Sequence, residues 1–342
     1  MVGGDVPVLF PWFGGKSRAA GEVNAAMGEV AVYCEPFAGS LGVLLQREPV
    51  KHEVVNDNDG WIVNFWRALA AAPDEVARWA DWPVTEADLT ARHLWLVERA
   101  ATVREALQAN AEWYDAKAAG WWVWGVCAWI GSGWCSGSGP WVRVGEGDEA
   151  RVVRGSAGVH RQLPHLGNAG RGVHRQLPHL GDAGQGVHRQ GAALEDWMRE
   201  VAGRLRHVRV ACGDWSRVVT PAVLHRRGSG HAPVGVLLDP PYPAGWDTAT
   251  AYTGQDRDAG DLWREVTAWA AAEGADPRMR IVVCGYEGLW EPPPGWTVRQ
   301  WHNRAGYRGS KGQRQEVLWC SPGCVAPEQR QAGLFSAARA SA

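Results

Sequence analysis

Val30-Ala31-Val32-Tyr33-Cys34-Glu35-Pro36-Phe37-Ala38-Gly39-Ser40 is the stretch that decides the fold. It opens as a short apolar strand and breaks into a turn of small residues. Leu41 to Gln46 then begins a helical pattern. His52-Glu53-Val54-Val55 reads as a second strand that ends on Asn56-Asp57, and Trp61 to Leu69 is apolar at helical spacing. Strand, small-residue turn, helix, strand and acid form the opening of a doubly wound α/β fold.

Further along, Val208 to Cys212 is a strand that ends on Gly213-Asp214-Trp215. Val234 to Leu238 is a nearly continuous apolar run, as expected of a parallel strand covered on both faces. It ends on Asp239-Pro240-Pro241-Tyr242. A helix is expected near Leu262 to Glu273 and a strand over Arg280 to Cys284. Trp296 to Trp301 and Glu316 to Trp319 are expected to pair as a terminal hairpin around a basic loop. Residues 73–135 and 194–205 read as helical, the former rich in Trp.

Between them the sequence Gly158-Val159-His160-Arg161-Gln162-Leu163-Pro164-His165-Leu166-Gly167 recurs from Gly172 and begins again at Gly186, a period of 14 residues. Two and a half copies cannot bury a core, so residues 158–190 are expected to be a polar, flexible insert. Residues 321–342 are small and polar and read as a disordered tail.

The chain has 342 residues, 46% of them apolar, enough for a sizeable core. Its net charge of −2 gives no global attraction to a polyanion, so a nucleic-acid surface has to be local. No apolar run is long enough for a membrane span, and no export signal opens the chain. The seven cysteines are odd in number and scattered, which suits a reduced, cytoplasmic protein. Cys320 and Cys324 lack a partner pair at zinc-site spacing, and no metal is expected.

Four motifs carry chemistry, each at a strand's carboxyl end or in a loop that can reach one. In Asp239-Pro240-Pro241-Tyr242, a carboxylate and a rigid backbone carbonyl can accept the two hydrogens of an aromatic amine. That pulls the nitrogen lone pair out of conjugation, and Tyr242 offers a flat face for a base. Glu35-Pro36-Phe37-Ala38-Gly39 lets a ligand approach the backbone but lacks the dinucleotide fingerprint. Asp57 follows a strand some 20 residues on, where an acid can bind a ribose diol; a helix cap is its other reading, open equally to Asp59. Trp12-Phe13-Gly14-Gly15-Lys16 combines a backbone nest with a cation but is not a P-loop.

Trp-x-Gly-Gly-Lys, Glu-Pro-Phe-Ala-Gly-Ser, Asn-Asp and Asp-Pro-Pro-Tyr, in that order, resemble the Dam-like (D12 class) adenine-N6 DNA methyltransferases. The resemblance covers roughly residues 8–70 and 208–320. It implies a Rossmann-like doubly wound sheet with an inserted, mostly helical target-recognition region. The catalytic domain would comprise residues 1–72 and 206–320, and the insert residues 73–205. It implies S-adenosyl-L-methionine as cofactor, with Trp12, Gly14, Gly15 and Lys16 contacting it from the N-terminal loop. Glu35, Pro36, Phe37, Ala38 and Gly39 would line its methionine end, Asp57 its ribose, and Asp214 with Trp215 its adenine. Asp239 to Tyr242 would be catalytic. The insert departs from the family's common pattern, so no target sequence is carried over.

The substrate so implied is double-stranded DNA, with the adenine flipped out of the stack. Arg299, Arg304, Arg308, Lys311 and Arg314, free of acids between Glu291 and Glu316, are the candidate phosphate contacts. The basic 151–190 stretch is a second candidate. Gln331-Ala332-Gly333-Leu334-Phe335 looks like a sliding-clamp-binding peptide. A monomer acting on DNA in the cytoplasm, host- or phage-encoded, fits this reading. Two alternatives stay open: a different acceptor amine, such as cytosine N4 or an RNA adenine, and a DNA-binding protein with a decayed methylase fold.

Overall fold

In the computed structural model, residues 10, 16–110, 112–129, 134–135, 194–224, 232–243, 245–246, 258–300 and 315–326 are described, with the backbone alone at 141–144 and 151–154. Trp12, Gly14, Gly15, Arg304, Arg308, Lys311, Arg314, the 158–190 repeats, the 321–342 tail beyond residue 326 and the 331–335 peptide lie outside them.

The main sheet has seven strands: β1 (Val32–Glu35), β2 (His52–Asp57), β5 (Val208–Cys212), β6 (Val234–Leu238), β7 (Met279–Tyr286), β8 (Thr297–Gln300) and β9 (Glu316–Cys320). Their order is β5-β2-β1-β6-β7-β9-β8. β1 pairs in parallel with both β2 and β6, β2 with β5, and β6 with β7. β9 alone runs antiparallel, between β7 and β8. The expected pairing of the last two strands is therefore present. β3 (Trp141–Val144) and β4 (Arg151–Arg154) form a separate antiparallel pair. The chain builds outward through β2 to β5, then crosses back to β6 beside β1. The reversal falls between β1 and β6, and a crevice at the carboxyl ends of those two strands is where such sheets bind ligands.

β1 and β6 are buried along their whole length, with Glu35 the one charged residue in their otherwise apolar runs. Alternate residues divide the core between two faces. Tyr33, Leu237 and Val282 join the side covered by α1 (Ala20–Met27), α2 (Gly60–Ala71) and α7 (Leu194–Leu205). Cys34, Val236 and Val283 face α8 (Ala259–Glu273) and the 3₁₀ turn Trp215–Val218.

The 73–128 stretch forms α3 (Pro73–Ala80), α4 (Glu86–Val97), α5 (Ala100–Ala109) and α6 (Ala116–Ala128). These pack on α2 in one continuous apolar cluster. Trp66, Trp122 and Trp124 are fully buried, and Phe10 meets Phe65 and Trp122 edge-on at 5.4 and 5.3 Å. Much of the Trp content is thus core volume. Such ring pairs contribute about 0.5–1.5 kcal/mol each beyond their buried area. None of the described helices is long and apolar enough to cross a membrane.

One expectation fails. The helical pattern at Leu41–Gln46 yields only a 3₁₀ turn at Leu44–Gln46. Gly39 and Leu41 take positive φ values of 47° and 57°, which reverses the chain before a helix can start. A side chain at Gly42 would come within 2.9 Å of the Ser17 backbone nitrogen. The segment is held in this shape by its close approach to the Lys16 turn, and Leu41 is fully buried where it stands. Tertiary packing overrides local periodicity here.

Candidate active site

The site is assembled from turns that follow β1, β2, β5 and β6. After β2, the chain needs two acids for two tasks. Asp59 caps α2, accepting the Trp61 N–H at 2.8 Å. Asp57 is therefore not spent as the helix cap. Its Oδ2 accepts the Gly39 N–H at 3.0 Å and its Oδ1 the Asp59 N–H at 2.9 Å. The acid expected at a ribose is thereby fixed against the small-residue turn. Arg104, from α5, donates to Asn58 Oδ1 at 2.6 Å, so the helical region touches this loop directly.

Three carboxylates, Glu35 buried and Asp57 and Asp59 half-buried, shape the local electrostatics. Burial pushes Glu35 up to about 7, with Asp239 and Glu53 adding to the rise and hydrogen bonds from Tyr33 and Leu44 opposing it. The Tyr33 hydroxyl donates to Glu35 Oε1 at 2.5 Å. Asp59 is pushed up to about 7 by burial and then by Asp57. Asp57 is itself raised, chiefly by burial. Desolvated acids at adjoining strand ends favour a cationic ligand, which relieves their loss of water.

Asp239 closes the other side. Its Oδ1 accepts the Lys16 ammonium at 2.9 Å, with the two side chains 5% and 20% exposed. The same oxygen accepts the Tyr242 hydroxyl at 2.9 Å. Lys16 also lies 5.6 Å above the Tyr242 ring. Burial pulls the Lys16 ammonium down, but Asp239 and Glu316 outweigh it and hold it charged above its ordinary value. Pro240 and Pro241 are buried and rigidify the turn.

The structure brings Lys16, Glu35, Pro36, Phe37, Ala38, Gly39, Asp57, Asp214, Trp215 and Asp239 to one end of the sheet. Phe37 stacks on Trp215 at 6.1 Å. Asp214 Oδ1 accepts the Ser216 N–H at 3.0 Å.

Two residues sit differently from the sequence reading. Tyr242 is only 3% exposed, packed edge-on by Tyr286 at 5.1 Å and Trp263 at 5.8 Å. The flat face expected for a base is covered, because the ring completes the core beside α8 while its hydroxyl holds Asp239. Arg299, expected on a phosphate, turns inward: it donates to the Val325 carbonyl, and its Nε and Nη1 are buried.

Sequence reasoning missed Asn56 as a working residue. Its Nδ2 donates to the Pro36 and Gly213 carbonyls, both at 3.0 Å. Asn56 Oδ1 and Trp215 Nε1 are buried with no hydrogen-bond partner among the described residues. An acceptor and a donor left over at two facing turns, next to a cluster of desolvated acids, fit a cationic ligand with a nucleoside portion.

A doubly wound, seven-stranded sheet with this crevice at its reversal point is consistent with a methyltransferase-like fold. Residues 12–82 match the family of D12 class N6 adenine-specific DNA methyltransferases. The same family is the one its motifs resemble. The match covers the Lys16 loop, the Glu35–Ser40 turn and Asn56–Asp57, and stops before Asp239–Tyr242. That family implies S-adenosylmethionine-dependent methylation of adenine in DNA. No curated protein matches the chain.

Proposed function

We propose that this protein is a site-specific DNA methyltransferase that methylates N6 of an adenine flipped out of double-stranded DNA. The observation that carries this is the Lys16–Asp239 pair at 2.9 Å. It joins the N-terminal motif to Asp-Pro-Pro-Tyr at the end of β6, beside the turn built on Glu35 to Gly39.

S-adenosyl-L-methionine, when bound, supplies an electrophilic methyl group. Glu35 to Gly39 would hold its methionine end, Asp57 its ribose, and Asp214 with Trp215 its adenine. Trp12, Gly14 and Gly15 belong to the same proposal. Lys16, expected to contact the cofactor, also pairs with Asp239. With Tyr242 it occupies Asp239 Oδ1. Oδ2 is then the acceptor for one N6 hydrogen, and a backbone carbonyl of the Pro240–Pro241 turn is the acceptor for the other. Fixed acceptors on both hydrogens aim the nitrogen lone pair at the methyl carbon, so orientation and preorganised charge supply most of the rate. Transfer is direct and needs no covalent enzyme intermediate.

Extruding the base costs a few kcal/mol, which binding of the DNA backbone must offset. Arg304, Arg308, Lys311 and Arg314 are the proposed phosphate contacts. The division into a catalytic domain (1–72 and 206–320) and a target-recognition insert (73–205) belongs to this proposal. So do the monomeric, cytoplasmic setting and the clamp-binding peptide at 331–335.

The test is transfer of labelled methyl from S-adenosylmethionine into DNA, followed by digestion to nucleosides. N6-methyladenine is the expected product; N4-methylcytosine, or labelling of RNA alone, would overturn the assignment. Asp239→Ala should lower kcat by about a thousandfold or more while S-adenosylmethionine still binds. Near-normal turnover in that variant would remove Asp239 from its role.

A further inference from the structure

The turn after β1 and the turn after β5 lie on opposite sides of β2. Asn56, the second-last residue of β2, bonds to both. It is 2% exposed. Pro36 and Gly213 both present carbonyls, so the amide nitrogen must face them, and it uses both of its hydrogens there. The main chain repeats the pattern. The Ala38 N–H donates to the Asn56 carbonyl at 2.9 Å, and the Gly213 N–H donates to the Asp57 carbonyl at 3.0 Å. Two consecutive residues of one strand therefore fix the backbone of both flanking turns. Asp57 hangs directly from this bracket, bonded to the Gly39 N–H at 3.0 Å, and Asp214 follows Gly213 at its other end.

We infer that Asn56 is a positioning residue for the nucleoside portion of the cofactor. It sets the separation of the 36–39 and 213–215 turns, and with it the placement of Asp57 and Asp214 across the crevice. The inference rests on the proposed function. Asn suits the position because it carries two N–H donors on a one-carbon stem. Asp would set a carboxylate against two carbonyls, Ser would offer one donor, and Gln would push its amide one carbon further into packed backbone. A bracket with only a structural role would lower stability and leave ligand binding unchanged in the folded fraction. A positioning role alters the cofactor's affinity while sparing chemistry at saturation.

Full-length Asn56→Ala and Asn56→Ser are compared with the parent by calorimetric titration of S-adenosylmethionine and S-adenosylhomocysteine, and by steady-state kinetics. In Asn56→Ala, Kd and KM for S-adenosylmethionine should rise about tenfold or more, with a smaller rise in Asn56→Ser. The kcat at saturating cofactor should stay within about threefold, and KM for DNA within about twofold. A folded variant whose cofactor Kd matches the parent's overturns the inference. Loss of the fold in both variants overturns it too, by making Asn56 a general determinant of folding. A parent protein that binds no S-adenosylmethionine sinks the functional reading, and this inference with it. Binding by the parent with unchanged variants sinks this inference alone.

Discussion

Glu35 shows how one residue can be written in the sequence and still have its behaviour set by the fold. Its place after an apolar strand is legible in Val30–Ser40. Its burial with Leu44, Asp239 and Glu53 around it is not, because those three arrive from other segments. Burial, aided by the two acids, raises it from an ordinary 4.5 to about 7. The folded protein therefore holds a proton that the unfolded chain has already lost between those values. Stability should fall as pH rises through that window, by on the order of 3 kcal/mol at most. Glu35→Gln keeps an acceptor for the Tyr33 hydroxyl and removes the titration. Thermal scans from pH 4 to 8 should show the parent losing Tm against the variant as pH rises, and parallel curves would clear Glu35 of this role. Tyr242 follows the same logic. Its place in the motif is plain, but Trp263 and Tyr286 pack against the ring while its hydroxyl meets Asp239.

Among the elements, β6 and β7 are legible because apolar runs in a covered parallel sheet have few alternatives, and β1, β2 and β5 because short apolar stretches end on turn residues. The Leu41–Gln46 stretch was misleading because its periodicity is real, yet the positive φ values at Gly39 and Leu41 reverse the chain there. The link between α2 and α6 was not legible at all. Asn64 is fully buried, donates to the Asp115 carbonyl at 3.0 Å and accepts the Asp115 N–H at 2.9 Å. Asp115 in turn caps α6, accepting the Ala118 N–H at 2.8 Å. One Asn therefore docks the start of the Trp-rich helix onto the helix that follows β2. Asn64→Ala strips both backbone groups of their partner and should destabilise the protein by about 2 kcal/mol. Urea unfolding should show a lower midpoint at an unchanged slope; an unmoved midpoint would mean that packing alone fixes α6.

Over the whole molecule, the sheet gathers Lys16, Glu35, Asp57, Asp214 and Asp239, spread across more than 200 residues, at one end of adjacent strands. Two and a half copies of the 14-residue repeat are too few to build a core of their own. Deleting residues 158–190 should therefore shift Tm by less than about 3 °C and leave cofactor affinity unchanged; collapse in a thermal scan would give the repeats a structural role. Sequence alone determined the fold class, the order of the motifs and which acids end which strands. These follow from hydrophobic period and turn chemistry, which are local properties. Only the tertiary structure decided that Lys16 pairs with Asp239, that Asn56 ties two turns, and that Arg299 bonds the Val325 carbonyl. Each depends on groups from segments that lie apart in the chain, and the distance between such groups is set by packing rather than by their separation along it.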